Sequence, residues 1–128
     1  PAYFAKHPPP QRPEDLTQHN CVRYRLASSA SLLNWSFTDP RKKREFSVEL
    51  NGNCVVNDDL AMLNAALNGV GLVQHLDLAV QGHVGDGSLV RVLDKWCPPM
   101  AGFYLYIPTR EQMPRKLRAL MDFLVGKR

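Results

Sequence analysis

The chain has 128 residues, of which 45% are hydrophobic and 22% are charged, and its formal net charge is +4. These values fit one globular domain and exclude the disordered and fibrous classes. No apolar run approaches the roughly 18 residues of a membrane span, and the first residues carry no secretion signal. We therefore expect a soluble, cytoplasmic chain with no membrane partner, in which three widely spaced cysteines build no disulfide framework.

The first half of the sequence predicts short elements separated by stop signals. Residues 2–7 predict a single helical turn that the prolines from Pro8 onward end, and Pro13 opens a second short helix. The predicted strands are, in chain order, 21–26, 32–38 and 45–52. A turn signal and the basic run 41–44 separate the last two strands and predict a hairpin whose charged tip lies in water.

Residues 55–73 carry the clearest local pattern, namely a β-branched run, a capped helix, a glycine stop and a second apolar run. The short side chain of Asn57 or Asp58 is expected to accept hydrogen bonds from the first helical turn, and Gly69 is expected to end the helix in a left-handed conformation. The stripe predicted to be buried comprises Leu60, Leu63, Ala66 and Leu67. Residues 71–76 then predict a short buried strand.

The second half continues the alternation of helices and strands. Its predicted elements are a helix at 77–84, a turn at 85–87, a strand at 87–96, a strand at 103–109 and an amphipathic helix at 114–125. Pro98 and Pro99 break the chain between the two strands. The last helix carries at helical spacing Leu117, Leu120, Met121 and Leu124. Strands that alternate with helices predict an α/β domain.

The sequence offers no spaced motif for catalysis, metal binding or nucleotide binding. Gly69 and Gly71 follow a helix instead of opening one, the histidines and cysteines lack metal-ligand spacing, and no G-x-S-x-G elbow is present. We therefore predict no catalytic residue, no metal and no cofactor. Trp35 and Phe37 share one strand face, which lies either in the core or on the wall of a small-molecule cleft. His75 is either a hydrogen-bonded interior residue or a cleft-facing one.

Five segments carry a family resemblance through their order and spacing. They are "PAYFAKHPPPQRPEDLTQHNCVRYRL", "WSF", "VVNDDLAMLNAALNGVGL", "GSLVRVLDKWCPP" and "FYLYIPTREQMPRKLRALMDFL". Together they resemble the effector-binding domain of LysR-type transcriptional regulators, and the resemblance runs from Pro1 to Leu124. Each segment alone is a weak signal, whereas the ordered set is specific.

The resemblance implies an α/β, periplasmic-binding-protein-like fold of type II, with an effector cleft between two subdomains. Residues 1–97 would form subdomain II, and residues 98–128 would form a hinge and then the returning strand and helix of subdomain I. The winged helix-turn-helix and the first half of subdomain I are expected to precede Pro1. The returning segment alone would expose a sheet edge and an apolar helix face, so we expect either a longer native protein or a partner copy that covers them.

The resemblance also implies a binding site. The implied effector-binding residues are Leu33, Trp35, Phe37, Asn57, Asp58 and His75. In such folds the first turn of a helix at the carboxyl end of a strand faces the ligand crevice. Asn57 and Asp58 would lie there either as ligand contacts or as caps that shape the rim, because the carboxylates of Asp58 and Asp59 compete with an anionic ligand. Family members often carry an aliphatic residue and then proline where this chain has His75 and Leu76.

The implied function is a ligand-sensing regulatory domain of a bacterial transcription factor, not an enzyme, with a small organic-acid-like effector. The implied partners are the effector, further copies in a homodimer or tetramer, and DNA only through a helix-turn-helix outside this chain. Two alternatives stay open. A solute-binding domain of a transport system would need a secretion signal upstream, and a small α/β enzyme using His75 or His83 would show a perturbed titrating residue in its pocket.

Overall fold

The computed structural model describes residues 1–97, 99, 102, 104, 106 and 114–126. Its strands are β1 (Arg23–Tyr24), β2 (Ser36–Thr38), β3 (Glu45–Ser47) and β4 (Val55–Val56). Its helices are α1 (Asp59–Leu67), α2 (Asp77–Gly85) and α3 (Arg115–Gly126), with short 3-10 helices at Pro13–Gln18 and Asp94–Trp96. The predicted mixture of helices and strands is therefore present. The strand predicted at 103–109 lies largely outside the described residues.

Three segments that run in the same direction form the middle of the molecule, with β1 between the other two. On one side β1 pairs in parallel with β4, in a register that sets Arg23 opposite Val55. On the other side Cys21 forms an isolated parallel bridge with Leu72. The strand predicted at 71–76 is thus reduced to this single bridge. Cys21 and Val22 have no exposed surface, because β1 is covered on both flanks.

The antiparallel hairpin predicted between residues 32 and 52 is confirmed. β2 pairs with β3 and sets Phe37 opposite Phe46. In the turn, the Asp39 carboxylate accepts hydrogen bonds from the backbone N–H groups of Arg41 (2.8 Å) and Lys42 (3.1 Å). The side chains of the basic run 41–44 are exposed, as the sequence predicts for a charged tip.

The helix α1 begins and ends as its sequence predicts, but its buried stripe differs. The Asp58 carboxylate caps it by accepting the Ala61 N–H at 2.8 Å, and Gly69 follows it with φ +71°. The prediction that Leu60 is buried is wrong, since 64% of Leu60 is exposed, while Met62 is buried. Met62 is the buried residue of α1, whereas Leu63, Ala66 and Leu67 are half-buried. Leu60 lies two residues, about 200°, from Met62 around the helix.

The predicted strand at 87–96 is also wrong. These residues form an irregular segment that ends in the 3-10 helix Asp94–Trp96. Leu93 has a left-handed backbone with φ 61°, which no strand accommodates, and its carbonyl accepts the Trp96 N–H at 2.9 Å. Alternating apolar residues therefore do not fix an extended backbone here.

One hydrophobic core joins the N-terminal segment to the sheet and the hairpin. Its buried members are Tyr3, Leu16, Cys21, Trp35, Phe37, Leu50 and Leu72. The helix α3 confirms the helix predicted at 114–125, but none of its described side chains is buried. Leu120 is 52% exposed and Leu124 is 50% exposed. This agrees with the expectation that the returning helix has an uncovered apolar face.

Candidate functional site

The carboxyl ends of the three parallel segments lie at one edge of the sheet, here called the carboxyl edge. It comprises the end of β1 at Tyr24 and Arg25, the end of β4 at Val56 and Asn57, and the residues up to His75 that follow the Leu72 bridge. The Arg25 N–H donates to the Val56 carbonyl at 2.7 Å, and the Tyr24 hydroxyl donates to the Asn57 carbonyl at 3.2 Å. Ligand crevices of open α/β sheets form at such an edge.

Asn57 and Asp58 are exposed at this edge, at the first turn of α1. One oxygen of Asp58 already accepts the Ala61 N–H at 2.8 Å. Asp58 is therefore the helix cap, a role that the sequence allowed for either Asn57 or Asp58. The negative charge of the Asp58 carboxylate also partly neutralises the positive end of the helix dipole. Contact of either residue with an effector stays a prediction.

The three predicted residues of the second strand divide between the surface and the core. The Leu33 N–H donates to the Tyr24 carbonyl at 2.8 Å, which places Leu33 at the carboxyl edge with 42% of its surface exposed. Trp35 and Phe37 are 4% and 2% exposed and belong to the core. The centroid of the Phe37 ring lies 6.1 Å from that of Phe46. Their part in effector binding stays a prediction.

His75 has one satisfied and one unsatisfied ring nitrogen. Its Nδ1 accepts the Leu76 N–H at 2.9 Å, so the neutral ring carries its proton on Nε2. Nε2 is buried and has no hydrogen-bond partner among the described residues. The neighbouring Gln74 side chain donates to the Ser36 carbonyl at 3.3 Å, which ties this segment to the hairpin. A buried N–H without a partner is costly, and a ligand group reaches this one only if the His75 side chain turns outward.

Sequence reasoning missed Arg25, an exposed cation on the carboxyl edge. Its Nη1 donates to the Ala30 carbonyl at 2.8 Å, which fixes the guanidinium beside the loop that follows β1. The signal was available, because Arg25 lies at the carboxyl end of a predicted strand. Its central place depends on the pairing of β1 with β4 and Leu72, which no local pattern specifies.

His83 and Ser88 form a close pair that does not build a catalytic triad. The Ser88 hydroxyl lies 3.1 Å from Nδ1 of His83 and also donates to the His83 carbonyl at 3.2 Å. Asp86, the nearby acid, accepts the backbone N–H of Ser88 at 2.8 Å instead of orienting the imidazole. Hydrogen bonds from the side chain and the backbone N–H of Ser88 lower the pKa of Asp86. The bond from Ser88 to the His83 carbonyl helps to close the turn after α2.

The part of the chain that the structure describes offers little support for metal binding, for a membrane span or for cysteine chemistry. No three histidine, cysteine or acidic side chains gather there into a metal-binding group, and none of its helices is long and apolar enough to cross a membrane. The three cysteines are free, as predicted. Burial raises the pKa of Cys21 to about 11, which makes it an inert thiol.

Comparison with known proteins identifies the family. The family model described as the LysR substrate binding domain matches residues 1–127 of this chain. A putative transcriptional regulator of Pseudomonas aeruginosa is 39% identical over 97% of this chain and 40% of its own length. The putative LysR family substrate binding domain-containing protein YagP of Escherichia coli K12 is 32% identical over 83% of this chain and 76% of its own length.

The structural comparison shows the same architecture. The regulatory domain of CrgA, a LysR-type transcriptional regulator from Neisseria meningitidis, superposes with a TM-score of 0.75 at 23% identity, over 99% of this chain and 60% of that domain. The likeness shows the α/β, periplasmic-binding-protein-like type II fold of such regulatory domains. The chain spans only 40% of the Pseudomonas relative. This chain belongs to the LysR substrate-binding domain family.

Proposed function

We propose that this chain is the ligand-sensing part of a bacterial LysR-type regulator and binds a small organic acid at its carboxyl edge. The observation that supports the proposal is the sequence position of Arg25, Leu33, Asn57 and His75, each of which lies at or just after the carboxyl end of one of the paired segments or is hydrogen-bonded to it. Ligands of open α/β sheets bind at this kind of edge. The family match over residues 1–127 supports a sensing role.

Each residue of the edge is assigned a distinct task. The Arg25 guanidinium pairs with the effector carboxylate, and Nε2–H of His75 donates to a second oxygen of the ligand. Leu33 covers the apolar part of the ligand, and Trp35 and Phe37 hold Leu33 in place from the core. Asn57 and Asp58 shape the rim. The carboxylate at 58 keeps anionic groups away from the end of α1 and so directs them to Arg25.

The rest of the regulator completes the proposal. Residues 1–97 form one subdomain, and residues 98–128 form a hinge and part of a second subdomain that closes over the effector. Closure changes the arrangement of a homodimer or tetramer, whose helix-turn-helix domains contact DNA in the cytoplasm. The chain performs no catalysis and needs no cofactor. Its own basic residues make only salt-sensitive, nonspecific contacts with DNA.

The test uses the full-length regulator with acetate, succinate and benzoate as probes. A background in which Trp96 and every tryptophan outside this chain are replaced by Phe leaves Trp35 as the emitting tryptophan. We expect at least one probe to change its emission in a saturable way. Arg25→Ala should weaken that binding by about tenfold, the loss expected for one charge-assisted pair.

The matched control is Arg41→Ala, which removes an equally exposed arginine from the hairpin tip. It should leave the affinity unchanged. Equal weakening by Arg25→Ala and Arg41→Ala would mean that the acids respond only to net charge, and the carboxyl edge would lose its assignment. A Trp35→Ala regulator that answers its effector normally would remove Trp35 from the proposed wall.

A further inference from the structure

A second concave surface lies at the opposite end of the parallel segments, here called the amino groove. It encloses about 780 Å³. Asn20, which precedes β1, Asn53, which precedes β4, and Gly69, which precedes the Leu72 bridge, all line it. Because the segments run in parallel, this groove and the carboxyl edge lie at opposite ends of the sheet. It is therefore separate from the proposed effector site.

One wall of the amino groove is a cluster of three rings. The ring of His7 stacks on Tyr3 with centroids 4.4 Å apart and planes 21° apart, and the His7 and His19 centroids are 6.4 Å apart. The Tyr3 hydroxyl accepts the Asn20 N–H at 3.0 Å and lies 3.2 Å from Nδ1 of His19. When the Tyr3 hydroxyl donates to Nδ1, the neutral imidazole carries its own proton on Nε2.

His19 belongs to this ring cluster, and its burial disfavours the protonated form of its imidazole. Only 8% of its surface is exposed, and burial lowers its pKa below 6.5, with a further lowering by His7. In the described part of the chain, Nε2 of His19 has no hydrogen-bond partner. His19 therefore lines the groove with a ring nitrogen, Nε2, that none of the described residues uses.

The groove is rich in hydrogen-bond donors and contains no acid. Its lining includes Lys6, His7, His19 and four asparagines, and none of its lining residues is Asp or Glu. Lys6 forms no ion pair within the described residues. The C-terminal end of α1 also reaches the groove, but the carbonyls of residues 64–66 already accept hydrogen bonds from the backbone N–H groups of Asn68, Gly69 and Val70. The full charge of Lys6 then outweighs the partial charge of the helix end.

We propose that the amino groove is a second small-molecule site, which binds an oxyanion of the carboxylate or phosphate class between Lys6, His7 and the Nε2–H of His19. Lys6 supplies the charge, His7 a side wall and His19 the directed hydrogen bond. None of the lining residues is an acid that would repel such a ligand, and Asp15, whose carboxylate acts on His19, is not part of the lining. The asparagines around it hold the groove open through hydrogen bonds between the segments, as between Asn20 and Asn53 at 2.9 Å.

The experiment is a titration of the full chain with inorganic phosphate and, separately, with succinate, followed by imidazole NMR signals. The His19 signals should shift in a saturable way, while His83, beside Ser88 in the turn after α2, stays unchanged. The anion whose binding saturates at the lower concentration, inorganic phosphate or succinate, identifies the ligand class as phosphate or carboxylate. The double variant Lys6→Ala/His7→Ala removes two exposed side chains and should weaken the binding about tenfold or more.

Lys42→Ala is the charge-matched control and should bind the probe like the unmodified chain. No saturable shift of His19 with either anion up to a concentration on the order of 10 mM would overturn the proposal. Equal weakening by Lys42→Ala would overturn it as well, because the anion would then follow net charge. The response of His75 reports the carboxyl edge separately, so this test does not depend on the effector site.

Discussion

The two ends of the parallel segments differ in how many side-chain hydrogen bonds join one segment to another. At the amino end, Asn20 donates to Asn53 (2.9 Å) and to the Val70 carbonyl (2.8 Å) and accepts the Asn53 N–H (3.0 Å), which ties the three segments together. At the carboxyl edge, Nε2 of His75 is unpartnered among the described residues. Leu33 is substantially exposed there. The side-chain hydrogen bonds that join the three segments thus lie at the amino end, whereas the carboxyl edge leaves a buried ring nitrogen without a partner.

The largest expected effect is a substitution at the tight amino end. A Cβ at Gly71 would overlap the Asn20 carbonyl oxygen, a backbone atom that cannot move without breaking the β1 pairing. Gly71→Ala should lower the free energy of unfolding by about 3 kcal/mol or more, or prevent folding. Urea unfolding measures this loss. In the control Gly82→Ala, the new Cβ meets no atom within 4 Å, so this variant should be as stable as the unmodified chain or more so.

Removing the Asn20 side chain should have the next largest effect. Asn20→Ala deletes three hydrogen bonds that join residues far apart in the sequence. We expect a loss of about 2–3 kcal/mol in the free energy of unfolding. The exposed Asn34 serves as the matched control. If Asn20→Ala and Asn34→Ala unfolded at the same urea concentration, the amino end would not carry the stability assigned to it.

Asp58 allows a sharper test of the carboxyl edge, because its cap and its charge can be separated. Asp58→Ala should cost about 1 kcal/mol through loss of the helix cap, whereas Asp58→Asn keeps an acceptor and should cost little. Thermal unfolding distinguishes the two variants. If Asp58→Asn keeps its stability but binds a carboxylate effector more tightly, the carboxylate acts on the ligand as proposed. Unchanged affinity would limit Asp58 to its capping role.

The smallest expected effect is a pH dependence from His19. Its pKa in the folded chain lies below 6.5, so between that value and 6.5 the unfolded chain binds more protons than the folded one. Stability should therefore fall as the pH decreases below about 6.5. His19→Asn should flatten the dependence in this window. An unaltered slope of unfolding free energy against pH would show that His19 is not its source.

The sequence predicts the elements whose signals are local. Asp58 as a cap and Gly69 as a stop depend on residues within one turn of the helix, and both are confirmed. The hairpin follows from two apolar runs and a turn, and it is also confirmed. By contrast, the burial of Met62 in place of Leu60 depends on how α1 rotates against β4, and this is set by packing across the chain.

The site is predicted less completely than the fold, for the same reason. The resemblance leads to residues on the carboxyl edge, among them Leu33, Asn57 and His75, but not to Arg25. The unpartnered state of His75 Nε2 depends on atoms brought together by folding. The amino groove is a stronger example, since Tyr3 and His19 are 16 residues apart and meet only in the folded chain. No spacing rule predicts that contact.

The central claim is that the effector binds at the carboxyl edge, and mapping the bound site by NMR tests it most directly. The full-length regulator, selectively labelled, would be titrated with the carboxylic acid that binds best. We predict saturable shifts of the Leu33 methyl, the Asn57 amide and the His75 imidazole signals, with the His19 signal following a different concentration dependence. Saturable binding that leaves the signals of Leu33, Asn57 and His75 unchanged would contradict the account.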